Sequence, residues 1–247
     1  MASVLGVIPA RYGSTRFPGK VLAKIGSWPM VRYVYEAARQ CTTLNHLVIA
    51  TDDERVRDAV QEFGAECLMT GEHHKSGTDR LAEVADYFKD YDTIVNIQGD
   101  EPGIEPELIN GVVQLKIDHP EWEVTTAARP FNDSEDPLQP NRVKVTLSRK
   151  QRALYFSRSL IPFPRNKTSQ NVYLHLGIYA YQRDFLLRFQ TLPHSLLEDT
   201  ESLEQLRVLE NDYNMGVFLV DGSLPGVDTA EDLANISGIF KQKGLLR

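Results

Sequence analysis

Cysteine is scarce: 247 residues contain only Cys41 and Cys67, and their spacing does not match a metal-ligand set. Reduced, partly buried thiols are the expectation. No apolar run approaches the roughly 18 residues that a bilayer-spanning helix needs, so no membrane partner is expected. The first ten residues run straight into an apolar stretch, with neither a basic start nor a small-residue cleavage site. A secretory signal is therefore not expected, and a cytoplasmic location is. Long basic runs are also missing. With 27 Lys and Arg against 34 Asp and Glu, the formal net charge is −7, which argues against a nucleic-acid partner. Neither G-x-x-x-x-G-K-[ST] nor G-x-G-x-x-G occurs. The Walker phosphate loop and the nicotinamide-dehydrogenase fingerprint are thereby excluded.

What remains has the composition of an average globular protein, 42% hydrophobic and 25% charged. Its length suits one α/β domain over residues 1–247. Short apolar runs at 4–8 (VLGVI), 46–50 (HLVIA), 93–97 (TIVNI) and 123–128 (EVTTAA) predict strands. Between them, apolar residues recur at three and four positions, as in Met30, Val31, Val34, Tyr35 and Ala38, or Leu81, Val84, Ala85 and Phe88. Further helical patterns start at Val56 and at Leu108. Strands alternating with helices imply crossover units and a mainly parallel sheet. The alternation falters after Pro130. Residues 131–141 read as a loop, and 142–147 with 152–157 read as a β-hairpin. A second irregular loop covers 161–170. Strand character returns at 173–181 and 217–220, and helices are predicted over 199–209 and 229–241.

The first strand runs into residues 9–20 (PARYGSTRFPGK), with Arg11, Arg16 and Lys20 close together. Two glycines and two hydroxyl residues add backbone donors. In open parallel sheets, ligands sit beyond the carboxyl ends of the strands. A triphosphate needs fixed positive charge and N–H groups there, and this loop offers both. Asp100 follows the third strand in 98–102 (QGDEP), and Asp228 precedes the last helix. Taken singly, Asp100 is a turn residue and Asp228 a neighbour of a helix N-cap. Taken together beside the basic loop, they suit Mg²⁺, which takes one or two carboxylates plus phosphate and water.

The order and spacing of these motifs resemble the 3-deoxy-manno-octulosonate (KDO) cytidylyltransferase, or CMP-KDO synthetase, family nearly end to end. The resemblance rests on 8–20 (IPARYGSTRFPGK), 50–53 (ATDD), Met69-Thr70, 76–80 (SGTDR), 95–102 (VNIQGDEP), 153–158 (ALYFSR), 175–181 (HLGIYAY), 203–209 (LEQLRVL) and 226–228 (GVD). It implies a three-layer, Rossmann-like nucleotidyltransferase fold around a mainly parallel mixed sheet, with an inserted hairpin region. It also implies transfer of CMP from CTP to KDO or its 8-amino analogue, releasing pyrophosphate and feeding lipopolysaccharide inner-core synthesis. By likeness, Ala10, Arg11, Lys20, Ser76, Thr78 and Arg80 contact the nucleotide, and Arg16 serves the phosphates. Gln98 lies beside the reacting groups, and Asp100 and Asp228 hold Mg²⁺. Arg158, His175, Tyr179, Glu204 and Gln205 are the implied sugar contacts. A homodimer is implied, with residues 131–170 at its interface.

Those assignments agree with the chemistry of the side chains. Arg158 offers a planar fork for a carboxylate, and Glu204 and Gln205 offer acceptors and a donor for hydroxyls. Plainer roles stand beside them: His175 as a structural histidine, Tyr179 as core, Glu204 as a solvated residue on a helical face. Two departures bear on substrate choice. Position 79 is Asp where many relatives carry Glu, and Leu174 and Gln182 stand where basic residues are common. A cytidylyltransferase for another acidic sugar, such as a nonulosonate, shares the phosphate loop and is the alternative.

Overall fold

A computed structural model describes residues 2–13, 17–74, 76–166 and 172–247. The chain divides into two compact units, residues 1–110 with 223–247, and residues 111–222.

In the first unit, β1 (Val4–Pro9) leads through a 3₁₀ turn (Lys20–Leu22) and a small antiparallel ribbon, β2 (Lys24–Ile25) and β3 (Trp28–Pro29), into α1 (Met30–Ala38). There follow β4 (His46–Thr51), α2 (Glu54–Gln61), β5 (Cys67–Met69), α3 (Gly77–Tyr87), β6 (Thr93–Asn96) and α4 (Pro106–Asp118). The unit boundary falls within α4. The strands are parallel in the order β6-β1-β4-β5. After β1 the chain builds β4 and β5 on one side and then returns to add β6 on the other. That reversal makes a crevice beyond the carboxyl ends of β1 and β6, the place where such sheets bind ligands. The loops starting at Ala10 and at Ile97 open there.

The strands are short and apolar because both faces are covered: β1 and β6 are buried almost throughout. The last helix, Ala230–Gln242, starts with a capping box in which Thr229 Oγ1 accepts from Asp232 N and Asp232 accepts from Thr229 N. Its apolar face packs through Ile236 and Phe240 onto Ile25, Met30, Tyr33 and Val227. Burial of Val227 is what fixes the position of Asp228.

In the second unit the strands run β11 (Met215–Leu219), β7 (Val124–Pro130), β10 (Tyr173–Gln182), β8 (Lys144–Leu147), β9 (Ala153–Ser157). Among the described residues of this unit, only β11 and β7 pair in parallel. The expected hairpin is β8–β9, and residues 131–142 form the expected loop. A register shift in β10 between Leu176 and Tyr179 bulges that strand and re-aims the side chains around it.

The single helix expected over residues 199–209 is two: α6 (Leu196–Glu201) and α7 (Leu206–Glu210). Ser202 adopts a left-handed backbone at φ 52° and ends α6, and Leu203 then turns inward to be buried. Glu204 and Gln205 therefore sit in the turn between these helices, not on a helical face. Helix α5 (Arg183–Phe189) and strand β5 were not expected from the sequence.

Candidate active site

The loop after β1 is closed on itself. Gly19 N donates to Tyr12 O at 2.8 Å, and Lys20 N donates to Phe17 O at 3.2 Å. Gly19 is left-handed at φ 69°, with Tyr12 packed where a side chain would sit, so this closure requires glycine. Tyr12 is pinned from outside by the Arg55 guanidinium, 3.4 Å over its ring, and Arg55 is in turn held by Asp53. Ser14, Thr15 and Arg16 lie outside the described residues, so the expected role of Arg16 has no geometry here.

The closed loop delivers Lys20 to the crevice. Its ammonium donates to Asp100 Oδ2, to Asp228 Oδ1 at 3.0 Å and to Val227 O at 3.2 Å. Val227 N also donates to Asp100 O at 2.8 Å, tying the two aspartate loops together. Burial opposes the charge on Lys20, but the Asp100 and Asp228 carboxylates outweigh it and raise its pKa. Glu101 is pushed up to about 8, by burial and then by the Asp100 charge. Glu101 is therefore held largely in its protonated form at neutral pH. Gly99 lies under the site because a Cβ there would stand 2.8 Å from Pro9 O.

A cavity of about 490 Å³ opens at this point. It brings together Arg11, Lys20, Ser76, Arg80, Gln98, Asp100 and Asp228 from the expected set. Ala10 and Thr78 are buried and do not line it. Ala10 spends its N–H on Ala50 O and its carbonyl on the Thr51 hydroxyl. Arg80 reaches the wall from a buried position, where its guanidinium donates to Thr70 Oγ1 and to Asp52 Oδ2 at 2.6 Å. Ser76 caps α3, and Asp79 completes the capping box by accepting from Ser76 N at 3.2 Å. The shorter acid at position 79 therefore serves helix initiation.

The oxygen donors suit a hard divalent ion. Carboxylates from two distant loops already converge on one cationic nitrogen. Among the described residues no group of three or more His, Cys, Asp or Glu could hold an ion. A metal would therefore draw its other ligands from phosphate and water, the usual habit of magnesium.

Gln98, also an expected sugar contact, lines the cavity, and the other expected sugar contacts lie in the second unit. Arg158 Nε donates to Glu201 O at 2.6 Å, Nη1 to Pro140 O at 3.1 Å and Nη2 to Ser202 O at 3.2 Å. Among the described residues, three of its five N–H groups thus hold backbone carbonyls. Glu201 accepts from Ser157 Oγ and Arg158 N, and the buried Lys144 donates to Arg158 O and Gln139 O. His175 packs against Phe156 and Tyr179, with Nε2 2.9 Å from Thr126 Oγ1. The Thr126 hydroxyl donates to Ile178 O at 2.7 Å, so His175 Nε2 carries the proton and Nδ1 is an acceptor. Desolvation lowers the His175 pKa to about 3, leaving the ring neutral. Gln205 is buried, and Glu204 partly so.

The two cysteines fit the expectation of inert thiols. Desolvation raises Cys41 to about 12 and Cys67 to about 11. No helix among the described residues is long and apolar enough to cross a membrane.

A model of the cytidylyltransferase family matches residues 5–215. The chain belongs to the cytidylyltransferase family. It is 53% identical over 243 residues to the 3-deoxy-manno-octulosonate cytidylyltransferase of Leptospira interrogans serogroup Icterohaemorrhagiae serovar Lai, covering 98% of both chains. It is 45% identical to the 8-amino-3,8-dideoxy-manno-octulosonate cytidylyltransferase of Shewanella amazonensis, over 95% of this chain and 97% of that one. A solved CMP:2-keto-3-deoxy-manno-octonic acid synthetase complexed with CTP superposes with a TM-score of 0.94 at 43% identity, over 98% of this chain and all of that one. The fold of this cytidylyltransferase is accordingly the α/β nucleotidyltransferase fold. Asp52, His74 and Glu83 were not singled out from the sequence. Their signals were the ATDD run and the positions flanking SGTDR.

Proposed function

We propose that this cytidylyltransferase transfers CMP from CTP to KDO or to its 8-amino analogue, releasing pyrophosphate. The observation that carries the reading is the convergence of Asp100 and Asp228 on Lys20 in a cavity also lined by Arg11 and Gln98. The relatives above, named for both sugars, support it.

In this reading Arg11 and Lys20 gather the triphosphate charge that an acidic protein otherwise repels. Ser76 and Arg80 flank the base and ribose, with Arg80 acting from its anchorage on Asp52. Gln98 lies beside the reacting groups. Asp100 and Asp228 would hold magnesium, which when bound neutralises phosphate charge and polarises an attacking hydroxyl. Positioning of the sugar hydroxyl in line with the α-phosphorus then carries most of the rate. Arg158 would place the sugar carboxylate with its guanidinium. His175 Nδ1, Tyr179, Glu204 and Gln205 would take the hydroxyls. A neutral His175 suits hydrogen bonding rather than charge pairing.

Leu174 and Gln182, neutral where relatives often carry cations, leave the far end of the sugar to be decided by experiment. The assay is pyrophosphate release with CTP, magnesium and each sugar in turn. Turnover with either sugar upholds the reading, and the ratio of kcat/KM values assigns the preference. Turnover with a nonulosonate alone overturns it in favour of the alternative.

A further inference from the structure

His74 lines the cavity at the end of the segment 70–74, and α3 holds that segment from behind. Arg80 donates to Thr70 Oγ1, while Thr70 N donates to Thr51 O at 2.8 Å. One turn further along α3, Glu83 Oε2 accepts from Gly71 N at 3.0 Å and from His74 Nε2. The His73 ring packs against His74 at a tilt of 40°, with centroids 4.4 Å apart, and fills the space beside Gly71 where a Cβ would sit. His74 is therefore held in place on two sides, and it lines the cavity next to Ser76 and Arg80. Its side chain is only 8% exposed, so it belongs to the wall and not to the surface.

The chemistry of this pair is specific. A carboxylate only accepts hydrogen bonds, so contact with Glu83 places the ring proton on Nε2. The neutral ring then has Nδ1 as an acceptor. We propose that Glu83 and His74 form the base-reading device of the cavity: Glu83 holds His74 in the tautomer whose second nitrogen accepts, which suits the 4-amino group of cytosine and rejects the 4-oxo group of uracil. The proposal rests on the cavity being the nucleotide site. Within it, Glu83 is a positioning residue acting through His74.

The experiment compares equilibrium binding of CTP and UTP, in magnesium buffer, by the full-length wild type, Glu83→Ala, Glu83→Gln and His74→Ala, with turnover measured in parallel. Glu83 Oε2 accepts from both Gly71 N and His74 Nε2, so a glutamine places its amide oxygen there and keeps the proton on Nε2, whereas Glu83→Ala removes the acceptor and releases the ring from that tautomer. For Glu83→Ala the CTP-to-UTP affinity ratio is expected to fall at least about tenfold, or ~1.4 kcal/mol, while Glu83→Gln is expected to keep it near the wild-type value. For His74→Ala the ratio is expected to collapse towards unity. An equal loss for both nucleotides, or an unchanged ratio in folded Glu83→Ala or His74→Ala, overturns the proposal, as does wild type that binds the two alike. Wild type that prefers CTP yet releases no pyrophosphate with any sugar acid overturns the proposed reaction while leaving base reading upheld.

Discussion

At the scale of single residues, the cavity assigns different work to side chains that look alike in sequence. Asp100 and Asp228 share one ammonium, and in the proposed reaction they share one metal. Asp100→Asn is expected to lower kcat at least about a hundredfold with the melting temperature little changed, because a metal clamp is worth several kcal/mol. Near-normal steady-state rates would remove Asp100 from that role. Arg158 carries a double load, three N–H groups on backbone and a proposed contact to the sugar. Arg158→Lys replaces the fork with a point charge. It is expected to raise KM for the sugar more than KM for CTP, and to lower the unfolding midpoint as well. Equal changes in both KM values would place Arg158 in the scaffold alone. A third carboxylate is structural. Glu135 takes two hydrogen bonds from Arg129, at 2.6 and 2.7 Å, and pairs with Arg142. The Arg129 bonds lead the effects that lower its pKa from 4.5 to about 2, against the opposing pull of burial. A depressed acid stabilises the fold above its unfolded pKa and loses that contribution as pH falls through its folded one. Glu135→Gln should therefore cost about 3 kcal/mol at pH 7, and the gap from wild type should close between about pH 4.5 and pH 2. Urea titrations across that range measure it, and a gap independent of pH would show that packing, not charge, is lost.

At the scale of elements, the parallel half of the fold was legible because buried strands and amphipathic helices write their periods plainly. The expected helix at Met30 is α1, and the runs at 4–8, 46–50 and 93–97 are β1, β4 and β6. The Lys20–Asp100–Asp228 convergence followed from motif order, since loops at the same sheet edge must meet. The hidden parts have physical causes. Strand β5 is three residues long, too short to show a period. The single helix expected over 199–209 failed at Ser202, because no glycine or proline announces that break. The left-handed turn is imposed from outside, by burial of Leu203 and by the Arg158 bond to Ser202 O. Side chains that act through others were invisible for a similar reason: Asp52, Glu83 and Glu201 acquire their partners only in three dimensions. The Ser202 turn is itself testable. A left-handed non-glycine residue costs roughly 1–2 kcal/mol. Ser202→Gly is expected to hold or raise the unfolding midpoint, and Ser202→Val to lower it by more than about 1 kcal/mol. Matching effects from both substitutions would mean that the backbone turn is not the constraint.

At the scale of the whole molecule, an acidic chain of net charge −7 binds polyanions only if its cations are local, and the cavity places Arg11, Lys20 and Arg80 together. The surface carries another unbalanced feature. Leu138, Leu154 and Phe163, in and beside the β8–β9 hairpin, are 66%, 58% and 81% exposed. Large apolar side chains gathered in one region of chain are a common mark of a protein–protein contact. A homodimer through this region would bury them, and a stable contact needs roughly 800 Å² from each partner. If that is the occupant, sedimentation at micromolar concentration should give twice the chain mass of 27.9 kDa. The double variant Leu154→Asp, Phe163→Asp should sediment as a monomer, because two charges placed in an apolar contact cost several kcal/mol. Its CTP affinity should stay near wild type, since neither residue lines the cavity. A wild type that remains monomeric throughout would assign these side chains to some other partner. A dimer that survives both aspartates would place the interface elsewhere on the chain.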